Sequence, residues 1–337
     1  MVDVSVIVPT HNRRQILPQA VQSILRQQGV SLELIVVNDA SSDETRSWLD
    51  WLAAADQRVK VVHHVQPRFV SSARNVGIAC ATARWVAFCD DNDLWAPDKL
   101  ATQLAALRSS SARWGCTGVA VVDEHLRIIG HHHVTGGDVL AGLLASNGIP
   151  TGSSVIVERH LVRQVGGFDP ALRGSEDWDL WIRLAQHSPL AAVDRPLIAY
   201  RLCRQSLSMN IDPMRAGRLA IAERYGALAA AHGVEHDGAG HERHLAGHLL
   251  RAGARWQAAS IFGALAFRHR RWRELPRLAA ALVAPRMADR VGQARAAAAV
   301  PASWRQEVEA WLRPIREASQ AGARHSRAWF GARELEA

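Results

Sequence analysis

The stretch Trp85–Trp95 reads WVAFCDDNDLW and combines an apolar run with a cluster of acidic side chains. Three carboxylates and one amide follow the apolar run within four residues, at positions 90–93. Carboxylates this close repel one another unless a positive group lies among them, and a divalent cation that bridges phosphates is one such group. The alternative is a solvated acidic turn, followed by a helix that Asp93 caps or that starts at Pro97. The stretch alone leaves both interpretations open.

Three further β-rich runs precede this stretch, at 2–9, 32–37 and 59–62, and helical patterns separate them. This alternation predicts a mostly parallel sheet with right-handed crossovers. Ligands bind such sheets at the carboxyl ends of the strands. Polar clusters follow the first, second and fourth strands, at Thr10–Arg13, Asn38–Asp39 and Asp90–Asp93. Their shared position favours a binding site over a solvated turn.

Two common nucleotide-binding motifs do not occur in the sequence. No G-x-G-x-x-G follows the first strand, and no G-x-x-x-x-G-K-[S/T] is present. Side chains or a metal ion would therefore have to neutralise a bound phosphate.

The composition places limits on the class of protein. A chain of 337 residues forms one large domain or two. The sequence contains no run of eighteen or more apolar residues, so no transmembrane helix is predicted. Met1–Val4 lacks the basic region of a signal peptide. The four cysteines have no paired spacing and are typical of reduced thiols. We therefore expect a cytoplasmic protein.

The positive charge is concentrated near the C-terminus. Residues 241–337 hold 17 arginines and 8 acidic residues, a net charge of +9, against +8 for the whole chain. We expect two domains: 1–214, an α/β domain, and 215–337, a basic α-helical domain whose segment 249–259 resembles a helical-hairpin repeat. Helices are predicted at about 215–232, 240–253, 255–268, 271–283, 286–298 and 303–318.

The tryptophans of this basic region lie among arginines, which suits peripheral contact with an anionic membrane surface. The alternative is a helical bundle with an arginine-rich outer face. Nucleic acid is not an expected partner, because no recognised nucleic-acid-binding module is present.

Five stretches in order along the first 210 residues together resemble the family 2 glycosyltransferases of the GT-A fold. They are Val4–Asn12, Glu33–Asp43, Ala73–Ile78, Phe88–Leu100 and Gly166–Trp181. The resemblance implies a nucleotide-diphosphate sugar as donor, linked to UDP, GDP or dTDP. It also implies single-displacement transfer with inversion to a hydroxyl acceptor on a glycan, a lipid-linked sugar or a small molecule.

The same resemblance implies roles for residues on the donor side. Pro9, Thr10 and Asn12 would line the nucleoside pocket, and Asp39 would accept a hydrogen bond from the nucleobase. The alternatives are an ordinary strand-to-helix turn and a carboxylate that caps the next turn. Arg74 would face the diphosphate, and the alternative is a position on a solvated helix face. Asp90 and Asp91 would contact the ribose and the metal.

On the acceptor side, the resemblance makes Asp177 the general base that takes the proton of the acceptor hydroxyl. Glu176 and Trp178 would lie nearby, with the indole stacking on a sugar. The alternatives are charge complementarity at a helix N-terminus and, for aromatic residues at helical spacing, a place in the core. We expect Trp181 in the core.

Two departures from the family pattern bear on metal binding. We expect Mn²⁺ or Mg²⁺ at Asp91, Asp93 and Asn92, but an amide at position 92 replaces the usual carboxylate. Near the end of the α/β domain, Cys203 replaces a histidine, and a neutral thiol is a poor ligand for these cations. These departures motivate an alternative function, a degenerate GT-A domain that binds a nucleotide sugar or glycan without turnover. The retention of Asp177, Arg74 and Asp39 argues against it.

Overall fold

The structure, a computed structural model, describes residues 2–202, 211–251 and 253–324. Its strands are β1 Val4–Thr10, β2 Leu32–Asn38, β3 Val59–His63, β4 Trp85–Phe88, β5 Leu94–Trp95, β6 Trp114–Val122, β7 Ile128–His132, β8 Ile156–Glu158 and β9 Leu190–Arg201. Its helices are α1 Leu17–Leu25, α2 Thr45–Ala55, α3 Phe69–Cys80, α4 Lys99–Arg108, α5 Leu140–Ala145, α6 Arg159–Gln164, α7 Glu176–Ala185, α8 Ile211–Ala231, α9 Gly238–Arg251, α10 Arg255–Gly263, α11 Leu275–Val283, α12 Pro285–Ala298 and α13 Ala302–Arg324.

The strands form one mixed sheet in the order β3-β2-β1-β4-β8-β6-β9-β5, and β7 pairs with β6. Strands β1 to β4 are parallel to their neighbours within that group, and β6 is parallel to β9. The parallel order predicted for the first four strands is therefore confirmed, within a mixed sheet that also has antiparallel pairs. Strand β8 runs antiparallel to both β4 and β6, and a single 3₁₀ turn at Gly152–Ser154 leads into it.

The helices and strands near the acidic stretch are fixed by close packing. Every residue of β1, β2 and β6 is buried, which explains their continuous apolar character. Helix α3 lies so close to β1 that a Cβ atom at Gly77 would overlap the Ile7 side chain. This contact holds the α3 side chains close to the carboxyl end of β1.

The predicted C-terminal helices are confirmed, with α8 to α13 overlapping all six segments. The segment predicted as 255–268 ends in a π-helical turn, Ala264–Arg268. Among the residues that the structure describes, no helix is both long enough and apolar enough to cross a bilayer.

Helices α8 and α13 both pack against the α/β region. Helix α8 places Ile221 in the same core as Phe168. Helix α13 places Trp304 against β6, where a Cβ atom at Gly118 would overlap the indole. The predicted boundary near residue 214 stays a prediction.

A buried carboxylate on β2 ties three parts of the sheet together. Glu33 is 4% exposed and accepts hydrogen bonds from Ser5 Oγ at 2.6 Å, Thr82 N–H at 2.8 Å and Lys60 Nζ at 2.7 Å. Burial raises the pKa of Glu33, but the hydrogen bonds from Lys60, Ser5 and Thr82 outweigh burial and lower it to about 2. The folded state therefore favours the ionised carboxylate.

We expect Glu33→Gln to lower the free energy of unfolding by about 2 kcal/mol at pH 7. Because the folded pKa of Glu33 is lowered, the stabilisation is complete above the unfolded pKa of about 4.5 and is lost as pH falls towards 2. Urea unfolding at pH 7, 4.5 and 3 should show the gap between wild type and variant closing. Glu223→Gln, at an exposed position on α8, is the matched control. A gap that stays constant with pH would contradict this account of Glu33.

Candidate active site

The loops that follow β1 and β2 are joined to each other at the carboxyl edge of the sheet. The Asp39 N–H donates to the Thr10 carbonyl at 2.8 Å, and the Ser42 N–H donates to Asn12 Oδ1 at 2.7 Å. Asn12 has a φ of 53°, a left-handed conformation that asparagine tolerates well. Thr10 is buried and Asn12 is exposed, so the two share a loop but differ in accessibility. Pro9 is buried within β1, next to Val37 of β2.

Asp39 organises the start of α3. Its Oδ1 accepts a hydrogen bond from the Arg68 N–H at 2.8 Å and lies 2.7 Å from His64 Nδ1, and its Oδ2 accepts from the Phe69 N–H at 2.8 Å. The carboxylate thus caps a helix about thirty residues further along the chain, whereas the sequence had suggested a cap on the next turn. Asp39 is 7% exposed, and its role towards a nucleobase stays a prediction.

Arg74 is the central cation of the site. It projects from α3, is 5% exposed, and donates from Nη2 to Asp90 Oδ1 at 2.7 Å and from Nη1 to Glu176 Oε1 at 3.1 Å. Its guanidinium also lies 5.0 Å from the centre of the Phe168 ring. Burial opposes the charge, but the carboxylates of Asp90 and Glu176 raise the pKa of Arg74 above its usual value. The alternative of a solvated helix face is therefore wrong for Arg74.

Asp91 is a partly exposed carboxylate of the acidic loop and a candidate for holding a cation together with phosphate. It lies 3.7 Å from Arg13 Nε, and its side chain is 15% exposed. Burial raises the pKa of Asp91 to about 6, although the charge of Arg13 works in the opposite direction. A carboxylate with this raised pKa gains from a nearby positive charge.

Asp93 and Asn92 are turned away from Asp91. Asp93 is 0% exposed, and it accepts hydrogen bonds from Ser153 Oγ at 2.6 Å and from the Arg201 N–H at 3.1 Å. Burial, and then the charge of Asp90, raise the pKa of Asp93 to about 8. Asn92 Nδ2 donates to the Arg201 carbonyl at 2.8 Å. Both side chains therefore anchor the end of β9.

The sequence predicts Asp91, Asp93 and Asn92 as the metal ligands. For Asp93 this prediction is wrong, because its carboxylate faces the interior. Its N–H bonds to the Asp90 carbonyl at 3.2 Å, and this turn directs the Asp93 side chain into the protein. Asp93 does not cap α4 either, since that helix begins at Lys99. Within the described ranges, no three His, Cys, Asp or Glu side chains are placed to hold a metal ion. Cys203 lies outside the described residues.

The carboxylates at the start of α7 meet the donor-side residues through Arg74. Ser175, just before the helix, has a left-handed φ of 62°, and Asp177 Oδ1 accepts the Trp178 N–H at 2.7 Å. Burial raises the pKa of Asp177, although Arg74 works against the shift. Burial and the adjacent Asp177 raise the pKa of Glu176 to about 7. A recessed carboxylate with a raised pKa suits a general base.

Trp178 is in the core and not at an accessible acceptor surface. It is 1% exposed, and its indole N–H donates to the Leu143 carbonyl at 2.7 Å. Its ring stacks on His236 at a centroid distance of 5.3 Å. The expected stacking of Trp178 on a sugar is therefore not supported by its position. Trp181 is also buried, as expected, and stacks on Trp114 at 6.0 Å.

Sequence reasoning missed two parts of the site. Ser153 accepts the Asp90 N–H at 2.9 Å while it donates to Asp93, so one hydroxyl orders the acidic loop. Behind Asp177, the fully buried Asp179 accepts hydrogen bonds from Arg224 Nη1 at 2.7 Å and Tyr225 OH at 2.8 Å, both on α8. The carboxylates at the start of α7 are candidates from the sequence alone, but no local pattern predicts hydrogen-bond donors about 45 residues away.

Comparison with known proteins identifies the family. Residues 5–149 match the family model described as Glycosyl transferase family 2. The putative teichuronic acid biosynthesis glycosyltransferase TuaG of Bacillus subtilis (strain 168) is 30% identical over 213 residues, which cover 61% of this chain and 82% of TuaG. The chain belongs to glycosyltransferase family 2.

Other relatives of this glycosyltransferase agree with that membership. The Escherichia coli protein WfgD, named as a UDP-Glc:alpha-D-GlcNAc-diphosphoundecaprenol beta-1,3-glucosyltransferase, is 27% identical over 209 residues, covering 61% of this chain and 80% of WfgD. Crystal structures of S. aureus TarS 1-349 with UDP and with UDP-GlcNAc align with TM-scores of 0.51 and 0.53, at 19% and 17% identity, over 95% of this chain and 87% of theirs. These structural likenesses show the GT-A fold.

Proposed function

We propose that this glycosyltransferase moves a sugar from a nucleotide-diphosphate donor to a hydroxyl acceptor by single displacement, with inversion at the anomeric carbon. The observation that carries the proposal is the double pairing of Arg74. It brings Asp90, on the donor side, and Glu176, next to Asp177, into one recess. The names of WfgD and of the UDP-GlcNAc complex of TarS support a nucleotide-sugar donor.

In the proposed reaction, Asp177 takes the proton of the acceptor hydroxyl as its oxygen attacks the anomeric carbon. A new bond forms between that oxygen and the anomeric carbon, and the bond from this carbon to the diphosphate oxygen breaks on the opposite face. The raised pKa of Asp177 makes it a better proton acceptor near neutral pH than an ordinary aspartate. The nucleoside diphosphate leaves with the electron pair of the broken bond.

On the donor side, Arg74 would offset negative charge on the diphosphate, because a guanidinium forks well onto phosphate oxygens. The donor would then share Arg74 with Asp90 and Glu176. We propose that Asp39 and the loop of Pro9, Thr10 and Asn12 hold the nucleoside. The joined ends of β1 and β2 give these residues a common location.

We propose that Mn²⁺ or Mg²⁺ binds together with the donor. Asp91 would be the protein carboxylate, and phosphate oxygens would complete the hard oxygen set that these cations prefer. Once bound, the cation would offset charge on the leaving nucleotide.

We also propose a glycan or lipid-linked acceptor and a cytoplasmic location with peripheral membrane contact. The basic C-terminal region supports such contact, and the name of WfgD supports a lipid-diphosphate acceptor.

Isothermal titration of UDP-, GDP- and dTDP-sugars, each with and without Mn²⁺, tests the proposed function. We expect one nucleotide class to bind and to be hydrolysed slowly without acceptor, and Asp91→Asn to remove most of the effect of Mn²⁺ on affinity. Asp212→Asn, an exposed carboxylate at the start of α8, is the control. Binding without any turnover would favour the degenerate binding module, and no binding of any nucleotide sugar would contradict the proposal.

A further inference from the structure

The turn between α10 and α11 carries a cluster of exposed aromatic and basic side chains. Residues 267–273 read FRHRRWR, with four arginines between or beside two aromatic residues. Phe267 is 58% exposed and Trp272 is 57% exposed, although both side chains are large and apolar. Their ring centroids lie 5.8 Å apart in an edge-to-face arrangement. The two rings therefore form one small apolar surface.

The arginines of this turn keep their positive charge available. Arg268, Arg270 and Arg273 are exposed, and Arg270 has a left-handed φ of 52° where the chain reverses. The neighbouring acid, Glu274, is fully buried and already bonded to Arg243 and Arg277, each at 2.8 Å. Arg273 approaches Glu274 only at 3.9 Å. The turn thus presents concentrated positive charge around two exposed rings.

The turn is supported by helices that pack closely against one another. Leu245 and Leu249 of α9, Phe262 of α10 and Ala281 of α11 belong to one buried apolar cluster. The Glu274 bonds to Arg243 and Arg277 link α9 to α11 directly beneath the turn. The exposed rings are therefore held in place and are not part of an unfolded segment.

We propose that the turn 267–273 docks the enzyme on an anionic lipid bilayer, with Phe267 and Trp272 entering the interface and the arginines contacting lipid phosphates. Aromatic rings favour the membrane interface, and basic side chains near it are attracted to anionic headgroups. The proposal deepens the proposed function, on which it rests for its lipid-linked acceptor and peripheral membrane contact.

An exposed aliphatic side chain next to the turn favours a bilayer over a nucleic acid. Leu275, the first residue of α11, is 37% exposed. Such a group gains from transfer into the acyl boundary, whereas it adds nothing to contact with a phosphate backbone. The joint presence of arginines and an aliphatic group therefore matches the chemistry of an anionic membrane surface.

Co-sedimentation of the full chain with lipid vesicles tests this assignment. One set contains phosphatidylcholine alone, and the other contains equal amounts of phosphatidylcholine and phosphatidylglycerol. We expect binding to the anionic set only, weakening as salt rises. Phe267→Ser with Trp272→Ser, and separately Arg268→Glu with Arg270→Glu, should each weaken binding by about tenfold or more.

Trp51→Ser, at a position that is 47% exposed on α2, is the control for the aromatic pair. Arg46→Glu with Arg108→Glu, at two exposed positions, is the control for the charge reversal. Circular dichroism and nucleotide-sugar titration check that every variant is folded and binds donor. Failure of the docking proposal is thereby separated from failure of the proposed function.

Three outcomes would overturn the docking proposal. The first is no binding of the wild type to the anionic vesicles, and the second is equal binding to both vesicle sets. The third is binding by the turn variants that matches the controls. Retention of a single-stranded oligonucleotide, lost in the turn variants while vesicles do not bind, would assign the surface to nucleic acid instead.

Discussion

Asp177→Asn should lower the rate of sugar transfer by about 10²–10⁴-fold while donor affinity changes little. The amide keeps the shape of the side chain and can still accept the Trp178 N–H, which donates to Asp177 at 2.7 Å. It cannot take a proton from the acceptor hydroxyl. Single-turnover assays and donor titration, run in parallel on wild type and variant, separate the two effects.

The pH dependence of transfer gives a second readout for Asp177. Burial raises the pKa of Asp177, so transfer should fall as pH drops through a value above the usual range for aspartate. Glu176 lies beside Asp177 and has a pKa near 7, so the two groups titrate as a pair. Glu176→Gln should therefore move the acidic limb of the pH–rate profile to a different pH without removing it. Equal turnover by Asp177→Asn and the exposed control Asp212→Asn would rule out Asp177 as the base.

Arg74→Met should lower the free energy of unfolding by about 3–5 kcal/mol at pH 8 and abolish donor binding. The thioether fills part of the space but leaves Asp90 and the mostly buried Glu176 without the cation that bridges them at 2.7 and 3.1 Å. At pH 5 the loss should be smaller, because Glu176, whose pKa is near 7, protonates and no longer needs the charge. Urea unfolding at both pH values measures the effect.

Arg84→Met is the matched control for Arg74, because its side chain is 72% exposed and reaches Glu158 only at 3.4 Å. An exposed pair of this kind contributes about 0–1 kcal/mol. A loss of stability in Arg74→Met no larger than in the control would contradict the central place given to Arg74. Unchanged donor affinity in a folded Arg74→Met would remove Arg74 from the donor site.

The sequence predicts the main features of the fold because they arise from local patterns. Alternating strand and helix signals place the acidic stretch after β4. The Ala-, Leu- and Arg-rich composition of the C-terminal third, interrupted by Gly, Pro and polar breaks, predicts all six helices. The position of the polar clusters at one edge follows from the parallel order of β1, β2 and β4. The direction of β8 does not follow, because it depends on how β4 and β6 lie on either side of it.

The orientation of the acidic side chains could not be predicted, because distant residues determine it. Spacing alone makes Asp91 and Asp93 equivalent, yet Ser153 and the Arg201 N–H draw Asp93 into the protein from 60 and 108 residues away. Asn92, whose amide seemed a weakened metal ligand, has a donor for the Arg201 carbonyl that a carboxylate would lack. The role of an acidic motif therefore depends on which of its oxygens the rest of the fold has already engaged.

The contact between Gly118 and Trp304 links two stretches of sequence that cannot change independently. A larger side chain on β6 needs a smaller ring on α13, because the two would otherwise overlap. Trp304 is 7% exposed, so loss of α13 would uncover the sheet face that its indole now shields. A chimaera that joins this α/β region to the helical part of another enzyme would therefore keep the space beside Gly118 that a tryptophan fills. Its interface would pack closely only if the new helix also carried a tryptophan at that position.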